Sequence, residues 1–301
     1  MNTAEVQSQV IGFRYLEAAQ FTLLFYDYLL TLDWEVSRYW RAGISTPVVL
    51  FFANRYGTLL GNVPVLLMDF WTAPATHQIC KVLCFYHEAF IVIMQIIIGV
   101  MLILRTYALY EQSKRVLVFM LVFSACMICT GIGGTLYADH AHTSEQGPVL
   151  PLDIGCATPA DGVKSKGLII AWSAMGLFDC IIFLLTLYKT LSRDRPKGLN
   201  LLTVLMRDGC IYFGVIVISN LCNILSFALG TPYTRGLFNT TTNVISSLMI
   251  SRLMFNIRDP ALARDASRNS QDPSAVQWGV GVFSTHIEST PPRQNTAAEW
   301  V

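Results

Sequence analysis

Seven blocks of mostly apolar residues dominate the sequence. They cover residues 11–32, 47–68, 84–106, 116–136, 167–189, 209–229 and 237–257, and charge, proline or glycine bounds each block. A helix rises 1.5 Å per residue, so about 20 apolar residues cross the hydrocarbon core of a bilayer. The pattern predicts an all-α integral membrane bundle of seven transmembrane helices over residues 1–258.

The composition agrees with a membrane protein and excludes other classes. Hydrophobic residues make up 53% of the chain and charged residues 14%, whereas soluble domains have about 25% charged residues. The net charge is +1, and no basic run with interleaved aromatics suggests nucleic-acid binding. The N-terminus lacks the features of a cleavable signal peptide. Residues 259–301 are polar and rich in proline and serine, which predicts a disordered cytoplasmic tail.

The positions of lysine and arginine predict the orientation. Seven crossings put the two termini on opposite sides of the membrane. With the N-terminus outside, thirteen Lys and Arg fall on the inner side and five on the outer side. Basic residues concentrate on the cytoplasmic side of membrane proteins. We therefore expect an outer N-terminus and a cytoplasmic C-terminus, in the plasma membrane or, as an alternative, in an internal membrane.

Two charged residues lie inside the first two predicted spans, Asp27 in the first and Arg55 in the second. Their depths in adjacent antiparallel helices differ by roughly 4–5 Å. An unpaired charge at mid-bilayer costs about 2.5–3.5 kcal/mol. We expect an intramembrane Asp27–Arg55 ion pair, acting as a structural clamp or as a switch. Asp179, in the fifth span, is the alternative partner for Arg55.

Further polar residues recur at helical spacing inside the spans. Glu88 and Gln95 are seven residues apart and should share one helix face. Such stripes point toward other helices or toward a wet cavity, so interhelical hydrogen bonding and a ligand cavity are both open. The candidates for lining a polar cavity are Glu88, Gln95, Asp179, Asn223 and Asn243.

Three cysteines fall on the predicted outer side, where oxidising conditions permit a disulfide. Cys80 lies farther from the bilayer than Cys84, so the favoured bridge joins Cys80 to Cys156 in the long outer loop. A Cys84–Cys156 bridge is the alternative. Zinc binding by His140, His142 and Cys156 is a competing interpretation with only a short spacing to support it.

Five strings in the chain occur together in one known family. They are "FYDYLLTLDWEVSRYW", "NRYGTLL", "LRTYALYEQSK", "LLTVLMRDGCIYF" and "SRLMFNIRDP". In combination they resemble the basidiomycete fungal membrane proteins with the uncharacterised DUF6533 domain. The domain corresponds to residues 15–60, and the similarity extends to Asp259. This resemblance implies a fungal membrane setting and this architecture, but no activity.

A looser resemblance links the chain to G-protein-coupled receptors. Cys80 and Arg105 flank the third span and are 25 residues apart, as in rhodopsin-like receptors. Leu104 replaces the acidic residue that those receptors place before this arginine. The sixth span lacks a proline and the seventh lacks an NPxxY string. The resemblance therefore implies the topology rather than the activation machinery.

Conspicuous residues also lie at the predicted cytoplasmic face. Arg105 and the pair Arg207–Asp208 could form a lock between the third and sixth spans, or the arginines could reach to lipid phosphates. The candidates for this motif are Arg105, Tyr107, Arg207, Asp208 and Arg252.

These observations favour a receptor-like sensor that signals through its cytoplasmic face. The expected partners are the bilayer, an unknown ligand, and a heterotrimeric G protein or another cytoplasmic signalling protein. A structural or scaffold membrane protein is the alternative, followed by a proton- or cation-coupled transporter. Because no HExxH, GxSxG, P-loop or intramembrane histidine cluster occurs, we expect neither enzyme activity, nor a catalytic residue, nor a metal, nor a cofactor.

Overall fold

A computed structural model describes residues 3–40, 43–70, 77–140, 162–192, 209–231 and 234–258, and these ranges contain helices and no strand. The helices are α1 Thr3–Leu30, α2 Leu32–Glu35, a π-helical segment Val36–Trp40, α3 Thr46–Phe70, α4 His77–Leu109, α5 Lys114–His140, α6 Gly162–Ser192, α7 Cys210–Leu229 and α8 Asn239–Ile257. The predicted disordered tail, residues 259–301, lies outside the described ranges.

Four helices are long and apolar enough to cross a membrane. They are Gln78–Leu109, Lys114–Tyr137, Ser165–Ser192 and Cys210–Leu229. All seven predicted spans fall on helices, and most of these helices extend beyond the predicted apolar block. The remaining three, α1, α3 and α8, bury charged and amide side chains in their middle turns.

The contacts between helices place α8 in the centre of the bundle. It contacts α1, α3, α4 and α7, whereas α5 packs mainly on α6. Only 6% of the apolar stretch within Lys114–Tyr137 of α5 is buried inside the bundle. A peripheral helix of this kind needs an apolar surface if lipid surrounds it. The central α8 can carry polar side chains because other helices cover it.

We name the two ends of the bundle after the buried carboxylates Glu35 and Asp69. α1 and α8 run toward the Glu35 end, while α3 starts there and runs to Asp69 at the Asp69 end. At the Glu35 end, the Tyr39 ring stacks on Phe51 with centroids 3.8 Å apart. The ring of Phe255 meets Phe51 edge-on at 5.1 Å. This aromatic cluster joins the π-helical segment, α3 and α8.

Close contact between α3 and α4 depends on Gly61. A Cβ atom at this position would lie 2.1 Å from Cε2 of Phe90. The Tyr86 hydroxyl donates to the Gly61 carbonyl at 2.8 Å. Small residues allow such close backbone approach between membrane helices.

Gly61→Ala is expected to lower the free energy of unfolding by about 1–3 kcal/mol because the new methyl group collides with the Phe90 ring. Gly133→Ala in α5 is the matched control, since a Cβ there meets nothing within 4 Å. Unfolding titrations in detergent measure both variants. The loss should shrink when Phe90→Leu is combined with Gly61→Ala, and an equal loss with and without Phe90 would contradict the collision.

Candidate functional site

The Glu35 carboxylate is the centre of a buried charge network. Arg55 Nε donates to Glu35 Oε2 at 2.6 Å. The Tyr56 hydroxyl and the Trp40 indole N–H donate to Oε1 at 2.8 and 3.0 Å. Glu35 is 0% exposed, and a buried carboxylate is tolerated when it is paired and hydrogen-bonded in this way.

The chain around Glu35 explains how these donors meet. After α1 ends at Leu30, the chain continues as α2 and then as a π-helical segment. Residues five apart become neighbours in a π-helix, which brings Trp40 to Glu35. Thr31 Oγ1 donates to the Asp27 carbonyl at 2.7 Å. Backbone hydrogen bonds from Thr31 to the Asp27 carbonyl and from Glu35 to the Thr31 carbonyl continue the helix, so Glu35 lies two turns beyond Asp27 on the same buried face.

The Arg55 guanidinium connects three parts of the bundle. Its Nη2 donates to the Tyr28 carbonyl at 3.0 Å and to Thr31 Oγ1 at 2.8 Å. Its Cζ lies 4.5 Å from the Tyr28 ring centroid and 5.3 Å from that of Phe255. Aromatic faces attract a guanidinium at these distances. Arg55 on α3 therefore binds the end of α1, α2 and the end of α8.

A second ion pair joins α1 to α8. Nε and Nη2 of Arg252 both lie 2.6 Å from Asp27 Oδ1. The Asp27 side chain is buried, whereas the Arg252 side chain is 34% exposed. Partial exposure weakens this pair relative to the Glu35–Arg55 pair, because solvent screens it.

The predicted Asp27–Arg55 ion pair is therefore wrong. Arg55 pairs with Glu35, and Asp27 pairs with Arg252. The depths of Asp27 and Arg55 are compatible with a pair, but the helical chain continues two turns beyond Asp27 and presents Glu35, on the same buried face, to Arg55. Asp179, the alternative partner, instead accepts a hydrogen bond from Asn220 Nδ2 at 2.5 Å.

A double-mutant cycle on Asp27→Asn and Arg252→Gln should give a coupling free energy of about 1 kcal/mol. The partial exposure of Arg252 keeps the coupling at this low value because solvent screens the pair. The coupling is measured from unfolding titrations of the two single variants and the double variant. A matched cycle on Asp27→Asn and Arg55→Gln should give less coupling. A larger coupling free energy for Asp27 with Arg55 than for Asp27 with Arg252 would support the Asp27–Arg55 pair that the sequence predicted.

The π-helical segment also binds the end of α8. Arg38 Nη1 donates to the Phe255 carbonyl at 2.7 Å, and the Tyr39 hydroxyl donates to the Met254 carbonyl at 3.0 Å. The Arg258 guanidinium lies 4.3 Å from the Tyr39 ring centroid. Carbonyls in the last turn of a helix need partners and carry partial negative charge. Burial raises the pKa of Tyr39, which keeps this hydroxyl a donor.

A ladder of polar contacts runs between α3 and α8. Asn54 Nδ2 donates to Ser251 Oγ at 3.0 Å, and Thr58 Oγ1 donates to Ser247 Oγ at 2.6 Å. These rungs repeat every four residues along both helices. The next step along the ladder is Asn62 with Asn243.

No direct hydrogen bond joins Asn62 to Asn243. Among the described residues, Asn62 Oδ1 and both amide atoms of Asn243 have no hydrogen-bond partner. Asn223, on α7, is in the same state, and both asparagines are 0% exposed. Buried polar groups are rarely left unpaired, so these amides are candidates for binding a further polar group.

The predicted polar-cavity residues separate into two groups. Gln95, Asp179, Asn223 and Asn243 are buried, as expected for an inward-facing stripe. Glu88 is exposed, so its assignment to an interior cavity is wrong. Gln95 lies where the neighbouring helices cover α4, whereas Glu88 lies two turns nearer the Asp69 end of the same helix. The shared helix face therefore does not give a shared environment.

The sequence analysis missed a polar cluster at the Asp69 end. Arg14 Nη1 forms an ion pair with Asp69 Oδ1 at 2.5 Å. Gln20 donates to Glu17 at 2.8 Å and accepts from Thr241 at 2.5 Å. Arg14 and Glu17, three residues apart near the start of the first span, were the available indication. This cluster adds contacts of α1 with α3 and α8.

The described residues include two of the three cysteines in the disulfide prediction. Cys80 is disulfide-bonded, while Cys84 keeps a thiol. Cys156 lies outside the described residues, so the Cys80–Cys156 pairing stays a prediction. No group of three His, Cys, Asp or Glu in the described ranges could hold a metal ion. His142, of the competing zinc interpretation, also lies outside those ranges.

The predicted cytoplasmic-face motif is described in part. Arg105 and Tyr107 are half-buried on α4, and Tyr107 packs against the main core. Arg207 and Asp208 lie outside the described residues, so a lock with Arg105 stays a prediction. The next residue, Gly209, has a φ of 88° and directly precedes α7. Glycine adopts this left-handed conformation readily, so the chain can turn here into the helix.

These features define an all-helical protein with helices suited to a membrane and a buried charge network at one end of its bundle. Residues 15–60 match the model of a family of unknown function, DUF6533. The match covers the segment that the sequence analysis assigned to this domain. No curated protein and no solved structure matches the chain. Asp27, Glu35, Trp40 and Arg55 all lie in the matched segment, so most of the network belongs to it.

Proposed function

We propose that the chain is a seven-helix receptor-like sensor of the plasma membrane, with its N-terminus outside and its C-terminus in the cytoplasm. The basidiomycete fungal setting and the topology of G-protein-coupled receptors are parts of this proposal. In this orientation the Glu35 end faces the cytoplasm. The proposed signalling partner is a heterotrimeric G protein.

Pairing of polar groups supports seven crossings. An unpaired charge at the centre of a membrane helix costs about 2.5–3.5 kcal/mol. In α1, α3 and α8, however, Asp27 pairs with Arg252 and Arg55 pairs with Glu35. The first two rungs of the ladder between α3 and α8 pair Asn54 with Ser251 and Thr58 with Ser247. These helices can cross a bilayer because they turn their polar groups toward one another.

The observation that carries the sensor proposal is the pair of unpartnered asparagines, Asn223 and Asn243. Asn243 is near the start of α8, and Arg252 is near its end. A ligand that hydrogen-bonds to Asn243 in one position of α8 shifts the equilibrium toward that position. The same helix would carry the shift to the charge network, and from there to the cytoplasmic face.

The alternatives rest on other features. The tightly packed aromatic cluster of Tyr39, Phe51 and Phe255 favours a structural or scaffold protein. The buried Asp179 favours a proton- or cation-coupled transporter. Neither feature explains why α8 carries unpartnered amides at one end and an ion pair at the other.

The test is a pull-down of the detergent-purified protein with fungal heterotrimeric G proteins, with and without a non-hydrolysable GTP analogue. Association that the analogue releases supports receptor-type coupling. Asp27→Asn, which frees Arg252, should increase the association, while Gly133→Ala on the peripheral α5 should not. Absence of association for the wild type and for Asp27→Asn would contradict coupling and favour the scaffold.

A further inference from the structure

A small cavity lies inside the bundle between α1, α3 and α8. Its lining residues are Leu24, Tyr28, Arg55, Ser247, Leu248 and Ser251. Its volume is about 10 Å³, close to the minimum that one water molecule needs. The cavity therefore has room for one molecule the size of water.

The cavity lining is polar on one side. Arg55 contributes its guanidinium, and Ser247 and Ser251 contribute hydroxyl groups. A buried water typically makes two to four hydrogen bonds to such groups. The site offers that number of partners.

The charges around the cavity favour a neutral occupant. Glu35 already balances Arg55, and Arg252 already balances Asp27. A metal cation would be repelled by the guanidinium of Arg55, and an anion would face both carboxylates. An apolar occupant would leave the hydroxyl groups of Ser247 and Ser251 facing a group that cannot bond to them.

We propose that this cavity binds one water molecule, which links the Glu35–Arg55 pair to the ladder between α3 and α8. The water accepts a hydrogen bond from Arg55 and donates to the hydroxyl oxygens of Ser247 and Ser251. The ion pair and the ladder then belong to one hydrogen-bonded network rather than to two separate ones. This proposal goes beyond the sensor function and does not depend on it.

Hydroxyl-radical labelling by X-ray pulses tests the proposal, because water bound inside a protein produces radicals that oxidise the side chains next to it. Leu24 and Leu248 line the cavity and are 3% and 6% exposed. Leu102 and Leu253, which are 2% and 1% exposed, lie in the main apolar core and serve as matched controls. Cleavage by trypsin after Arg252 separates Leu248 from Leu253.

We expect Leu24 and Leu248 to be oxidised several-fold faster than Leu102 and Leu253 in the wild-type protein. Ser251→Val removes a hydroxyl and fills the cavity, so it should reduce both rates to those of the controls. Thr190→Val, a buried change on α6, should leave them unchanged. Equal rates at all four leucines in the wild type would overturn the proposal, as would rates that Ser251→Val does not lower.

Discussion

Arg55→Met is expected to lower the free energy of unfolding by about 3–5 kcal/mol, because it leaves the Glu35 carboxylate buried without its cation. The Glu35 side chain is 0% exposed, and that of Arg55 is 3% exposed. The change also removes the hydrogen bonds from Arg55 to Tyr28 and Thr31. Unfolding of the purified protein by SDS in mixed micelles measures the loss.

Two further variants show whether the loss comes from the ion pair. Arg55→Met combined with Glu35→Gln should recover much of it, because the amide oxygen still accepts from Trp40 and Tyr56 while the buried charge is gone. Lys189→Met breaks the exposed Lys189–Glu111 pair of 3.3 Å and should change stability by less than about 0.5 kcal/mol. If Arg55→Met lowered the free energy of unfolding by no more than Lys189→Met does, the Glu35–Arg55 pair would not stabilise the bundle.

Phe51→Ala should destabilise the protein by about 3–5 kcal/mol, the usual cost of removing a buried phenylalanine ring. Phe51 is fully buried and contacts the rings of Tyr39, Phe52 and Phe255. Its removal leaves a cavity between the π-helical segment, α3 and α8. The same SDS titration measures this effect.

Phe85→Ala on α4 is the matched control, because its side chain is 72% exposed. Its loss should be much smaller, since neighbouring helices do not enclose the ring. Phe51→Ala should also weaken the hydrogen bond from Tyr39 to the Met254 carbonyl, because Tyr39 stacks on Phe51. Equal losses for the two variants would mean that the aromatic cluster does not hold α8 in place.

The helices could be predicted from the sequence because apolar length is a local property. The block at 84–106 lies within α4, and the block at 209–229 matches α7 almost residue for residue. The helix ends were less predictable. α4 continues to His77 and Leu109 because a helix can extend beyond the apolar stretch that marks the bilayer core.

The partners of the charged residues could not be predicted from depth alone. Asp27 and Arg55 have similar depths, but the fold of the chain after Leu30 decides which carboxylate Arg55 meets. The π-helical segment that brings Glu35 and Trp40 together has no clear indication in the sequence. Glu88 shows the same limit, because its place along the helix follows from the sequence whereas its burial does not.

We propose that α1, α3 and α8 cross the membrane although they carry charged side chains, because those side chains pair inside the bundle. Their crossing would make seven spans, an odd number, whereas the four most apolar helices alone would make an even number. The most direct measurement is the side of the membrane on which each terminus lies, read by protease digestion of terminal epitope tags on intact cells. We expect the N-terminal tag to be digested and the C-terminal tag to be protected. Two tags on the same side of the membrane would contradict the claim.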